Sequence, residues 1–155
     1  MKKKLFIISL CLLSVVFLTG CSIIKKALSA KDFNKIVEKN DMVAINAKEQ
    51  FKDHSEIETA TLVIEKDKKW QVEHYTLSTK ADAKKMFDYN KSIFETEKSG
   101  LSKDRKIEYF NYTKYTLETD TYYMVASRID NTFLYAKVPI EYKDAAIQFI
   151  KETGY

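Results

Sequence analysis

The stretch 112-YTKYTLETDTYYMVASRIDNTFLYAKV-138 decides the fold. It holds three runs rich in β-branched and aromatic residues, separated by two short polar breaks, Thr119-Asp120 and Asp130-Asn131. Runs of this kind between turn residues predict strands, here 112–118, 121–129 and 132–138. Asp and Asn tolerate the left-handed backbone that two-residue hairpin turns demand, so consecutive strands are expected to pair antiparallel. A run at 106–110 predicts one more strand ahead of them.

Working upstream, residues 57–65 carry Ile57, Leu62, Val63 and Ile64 with threonines between them. Residues 69–77 alternate: Trp70 and Val72 on one face, Tyr75 and Leu77 on the other. With Asp67-Lys68 as a turn, the two runs predict a hairpin. Met42, Val43 and Ile45 suit a short strand. Helices are expected at three places. Ser29 caps the first, with Asp32 three residues on and Phe33, Ile36 and Val37 at helical spacing. Thr79 caps the second, whose stripe runs Ala83, Met86, Phe87, Asn90, Ile93 and Phe94, with Ser99-Gly100 as its end. Pro139 opens the third as a first-turn proline, Tyr142, Ala145, Ala146, Phe149 and Ile150 form its stripe, and Gly154 closes it. The expected architecture is a two-layer α+β domain: an antiparallel sheet of five to six strands with about three helices packed on one face, in the order α-β-β-α-β-β-β-α. One wet sheet face is common in antiparallel sheets, and three amphipathic helices suffice for the other.

The N-terminus has a different character. Lys2, Lys3 and Lys4 precede an apolar run from Leu5 to Leu18, followed by Thr19, Gly20 and Cys21. The charged start and short apolar run fit a secretory signal peptide. The run is shorter than the ~20 residues of a spanning helix. Leu18-Thr19-Gly20-Cys21 resembles the lipobox of bacterial lipoproteins. That resemblance implies cleavage after Gly20, with Leu18, Thr19 and Gly20 as the signal-peptidase recognition residues. It also implies a diacylglyceryl group on Cys21; no other cofactor is expected. The expected parts are a cleaved leader, 1–20, a lipidated short tether, 21–28, and a single globular domain, 29–155. Ile23, Ile24 and Leu28 are expected to be free to meet the membrane interface, and Lys25 and Lys26 to lie near anionic headgroups. The layout after Cys21 is similar to that of small lipoproteins of Gram-positive bacteria. A ratio of 24 lysines to 2 arginines fits such a host. The expected address is the extracytoplasmic face of the cell membrane.

Composition narrows the function classes. The three leader lysines leave 23 basic against 22 acidic residues, and lysines alternate with acids. This is not the basic patch a nucleic-acid reading needs. Cys11 leaves with the leader and Cys21 takes the lipid, so no thiol or disulfide is expected in the domain. Gly100 and Gly154 are the only glycines after Cys21, which removes Gly-rich phosphate loops. No Ser nucleophile motif occurs. His54 and His74 lack metal-ligand spacing, so no catalytic or metal residue is assigned. Six of the ten tyrosines fall between 109 and 135. Tyrosine is favoured at interfaces, so Tyr112, Tyr115 and Tyr122 with Arg128 form a candidate binding face for a protein or peptide partner. The expected function is a non-enzymatic, membrane-anchored binding or accessory module. Two alternatives are an immunity lipoprotein sequestering a toxin or hydrolase, and a carboxylate-based hydrolase with an acid of raised pKa in a cleft.

Overall fold

The computed structural model describes residues 24–155. Its elements run α1 (Ala30–Lys39), β1 (Val43–Asn46), a 3-10 turn (Lys48–Phe51), β2 (Ile57–Ile64), β3 (Gln71–Leu77), α2 (Lys80–Thr96), β4 (Lys103–Glu108), β5 (Tyr112–Glu118), β6 (Tyr122–Ile129), β7 (Thr132–Pro139), a second 3-10 turn (Ile140–Tyr142) and α3 (Lys143–Glu152). All seven strands form one antiparallel sheet in the order β1-β2-β3-β7-β6-β5-β4. Two meanders, β1-β2-β3 and β4-β5-β6-β7, meet where β3 pairs β7, with Glu73 opposite Tyr135 and Tyr75 opposite Phe133.

Local chemistry sets the helix starts as the sequence predicts. Ser29 Oγ accepts from the Asp32 backbone N–H at 3.1 Å, and Thr79 Oγ1 does the same for Asp82 at 3.1 Å. Each hydroxyl also donates to the carboxylate of the same aspartate, so each cap satisfies one otherwise unpaired helix N–H. Asp130, in the β6–β7 turn, has φ 50°, the left-handed conformation that aspartate tolerates. The β5–β6 turn works differently: Thr119 Oγ1 accepts from the backbone N–H of Tyr122 at 2.9 Å, so a side chain stabilises it.

The layering differs from the expectation. Helices cover both faces, giving three layers rather than two. On one face Phe33 and Val37 of α1 and Ala146, Phe149 and Ile150 of α3 pack on Val63, Val72, Val125, Leu134, Ala136 and Val138. On the other, Ala83, Phe87 and Phe94 of α2 pack on Tyr75, Leu77, Leu117, Met124, Ala126 and Phe133. The adjacent residues Met124, Val125 and Ala126 alternate between the two cores, and all are fully buried. A strand covered on both faces needs apolar residues at every position, and the unbroken run Tyr123–Ala126 supplies them.

Three further differences have local causes. The sheet has seven strands because Val43–Asn46 pairs as a short edge strand, and the β4 edge begins at Lys103 with a charged run that discourages further pairing. Pro139 ends β7, opposite Tyr122, and is the N-cap of the 3-10 turn Ile140–Tyr142 rather than a first-turn residue of α3, which starts at Lys143. As the terminal residue of its strand the proline loses no essential ladder bond. α2 closes at Thr96, ahead of Ser99-Gly100.

One buried polar chain crosses the α1/α3 core. His74 is fully buried and stacks on Phe33, ring centroids 4.2 Å apart. Its Nε2 lies 3.1 Å from the Tyr155 hydroxyl, which donates to Thr132 Oγ1, which donates to the Ile129 carbonyl at 2.7 Å. Each hydroxyl passes its proton onward, so Nε2 must be the protonated nitrogen and Nδ1 the bare one. Nδ1 has no hydrogen-bond partner among the described residues. Burial lowers the His74 pKa from 6.5 to about 4.

Candidate binding cleft

A single helix with its side chains is roughly 10–12 Å wide, while strands lie ~4.8 Å apart, so one helix covers only two or three strands. Among the described residues, the α2 face of the sheet has only that helix and the short 3-10 turn at Lys48–Phe51. Between them, over β3 and β7, a cleft of about 720 Å³ remains. Strand alternation builds its floor from Glu73, Tyr75, Phe133 and Tyr135. One stripe of α2 forms a wall with Asp82, Lys85, Met86, Tyr89 and Asn90, and Phe51, His54 and Glu56 close the other side. Phe51 sits edge-on to Tyr75, centroids 5.5 Å apart at 84°.

The polar groups are few. The Tyr75 hydroxyl donates to the Glu73 carboxylate, and Glu73 has no ion-pair partner among the described residues. Burial, and then that hydrogen bond, drives the Tyr75 pKa far up, and burial raises that of Tyr135, so both phenols are protonated at neutral pH. A backbone hydrogen bond and then His54, 3.0 Å away, lower the Glu56 pKa. The Thr79 hydroxyl, and then Lys85, lower that of Asp82. Glu56 and Asp82 are therefore held ionised, the opposite of the raised pKa that a carboxylate acid requires. The cleft presents three carboxylates and one lysine against a wall of aromatic rings.

The residues singled out from the sequence do not assemble into one surface. Tyr112 and Tyr115 are buried at 4% and 1% exposure, and they point into opposite cores. Tyr122 is exposed, with Lys137 Nζ 4.6 Å above its ring. Arg128 is half-buried and donates to Thr113 Oγ1 at 3.1 Å. The tyrosine-rich strands are central, and alternation sends their rings to both cores. Leu18, Thr19, Gly20 and Cys21 lie outside the described residues, as do the rest of the leader and Ile23. The cleft residues were unassigned in the sequence, although one signal was present: Asn90, which lines the cleft, interrupts the apolar α2 stripe.

A second feature concerns the start of the domain. Residues 25–28 are not a free tether. Asn111 brackets Lys25: its Oδ1 accepts from the Lys25 backbone N–H at 3.1 Å and its Nδ2 donates to the Lys25 carbonyl at 2.6 Å. Lys25 Nζ donates to the Gly154 carbonyl at 2.6 Å and lies 4.0 Å over the Tyr112 ring. Ala27 and Leu28 pack against the α1/α3 core. Leu28 is thus spent on the domain, because covering that core edge buries more of its surface than an exposed tether would.

Compared with known proteins, the chain matches no family model, no curated protein and no solved structure. Among the described residues, no helix is long and apolar enough to cross a membrane, and no three His, Cys, Asp or Glu side chains are grouped to hold a metal.

Proposed function

We propose that this chain is a lipid-anchored extracytoplasmic protein of the bacterial cell membrane, a non-enzymatic binding module whose cleft takes a small organic cation with an apolar body. The observation that carries the reading is Glu73, a carboxylate without an ion-pair partner among the described residues, set among Tyr75, Phe133 and Tyr135 in an aromatic-lined cleft. Clefts of this size suit small molecules, with apolar walls supplying contact area and a few polar groups fixing orientation. Aromatic faces attract cations, and the excess of carboxylates over lysine disfavours anions.

Calorimetry of the full chain in detergent micelles tests the ligand class with three isosteric probes: 2-phenylethylammonium, 2-phenylethanol and phenylacetate. The cation should bind best, and Glu73→Gln should weaken it at least tenfold, the loss expected for a charge-assisted hydrogen bond of about 1.5–3 kcal/mol. Equal binding of the neutral alcohol, or preference for the anion, would contradict the assignment. Chemical turnover of a ligand held in the cleft would contradict the non-enzymatic reading.

A further inference from the structure

The residues at the Lys25 bracket form a surface of their own. Asn111, which holds Lys25, belongs to the β4–β5 turn, where the Tyr109 backbone N–H donates to the Tyr112 carbonyl at 2.8 Å and leaves Phe110 at the tip. Phe110 is 85% exposed, and Tyr109 is 52% exposed with its ring stacked on Tyr112. Ile24, next to the bracket, is 66% exposed. Isolated exposed apolar residues are ordinary. Here the phenylalanine and tyrosine sit at a hairpin tip linked through Tyr112 and Asn111 to Lys25, where the N-terminal segment joins the domain.

Charge surrounds the patch. The exposed Lys26 lies beside it, next to Lys25, whose amine donates to the Gly154 carbonyl. Lys114 lies behind it, with Nζ 3.4 Å from the Tyr155 carbonyl. Burial, and then the nearby Lys25 and Lys151, lower the Lys114 pKa to about 8. The acids nearby are committed: Asp130 to Lys80 and Asn111, and Glu108 to Lys106.

Chain length supplies the remaining argument. Four residue steps separate Cys21 from Lys25, a reach of at most ~14 Å. A lipid on Cys21 would therefore hold the Lys25–Asn111 bracket, and Phe110 beside it, within that distance of the bilayer. We propose that the Tyr109-Phe110 turn, with Ile24, Lys25 and Lys26, is an interfacial face that seats in the headgroup layer of an anionic membrane and fixes the orientation of the domain on it. Aromatic side chains favour this layer, and each lysine near an anionic surface adds attraction. The lipid supplies most of the affinity, and the turn determines which side of the domain faces the membrane. This proposal rests on the reading of Cys21 as lipidated.

The test uses the full chain in vesicles of phosphatidylcholine and phosphatidylglycerol with brominated acyl chains. In Phe110→Trp, the added indole is compared with native Trp70, which is buried in the core. Intact mass reports lipidation of Cys21 in the same sample. The indole at position 110 should shift to the blue and be quenched more strongly than Trp70. The unlipidated Cys21→Ser chain should still bind anionic vesicles, about tenfold more weakly once Phe110→Ser is added. A lipidated protein whose indole stays water-exposed and unquenched overturns the face and leaves the anchor standing. An unmodified Cys21 together with no vesicle binding overturns both. A blue shift that grows with protein concentration in the absence of vesicles assigns the turn to contact with a second copy, and also overturns the proposal.

Discussion

Acidifying the protein should remove stability at His74. Its pKa is about 4 in the fold, against 6.5 unperturbed. A depressed folded-state pKa means the unfolded chain takes up the proton first. The contribution of His74 is therefore complete above pH 6.5 and is lost as pH falls toward 4. A tenfold difference in proton affinity between the folded and unfolded chain corresponds to ~1.4 kcal/mol, so about 2 kcal/mol should be gone by pH 5 and about 3 kcal/mol by pH 4. That is a large part of the ~5–15 kcal/mol that holds a domain together. Urea unfolding at pH 8, 6, 5 and 4 measures the loss. His74→Gln separates it from other titrations, because the amide can donate to the Tyr155 hydroxyl but takes up no proton. Wild type should be the more stable at pH 8, with the gap closing by about 3 kcal/mol at pH 4. Stabilities that fall in parallel for the two proteins would refute the assignment of a buried neutral imidazole.

Two other outcomes probe the layers and the docked segment. Phe87 anchors α2 and is 2% exposed; Phe87→Ala should cost about 3–5 kcal/mol in urea unfolding, and a cost under about 1 kcal/mol would mean that α2 is not a full third layer. Asn111→Ala should free Lys25 and Lys26, so that trypsin cuts there faster while the main unfolding transition moves by no more than about 2 kcal/mol, the scale of a few partly exposed hydrogen bonds.

The elements were legible where local chemistry determines them. Ser29 and Thr79 announce helix starts because their hydroxyls bond backbone groups three residues away. Asp130-Asn131 announces a hairpin because few other residues accept a left-handed turn. Layering depends on how much of each strand is covered, and the run from Tyr123 to Ala126 carried that information as missing alternation. Pro139 serves both as a strand end and as the N-cap of the 3-10 turn before α3, and the strand role was hidden because its ladder partner Tyr122 is distant in sequence. The cleft was the least legible part. Glu73, Phe51 and Asn90 come from three separate segments, and only the β3–β7 register brings the floor together. The tyrosines drew attention by number, whereas their positions on central strands commit Tyr112 and Tyr115 to the cores.

The account is tested most directly at Cys21. Mass spectrometry of the protein extracted from membranes of the producing cell should find an N-terminal peptide beginning at Cys21, with a diacylglyceryl group on its sulfur, and Cys21→Ser should abolish the modification. An unmodified Cys21 on a chain that still begins at Met1 would contradict the proposal of a lipid-anchored binding module.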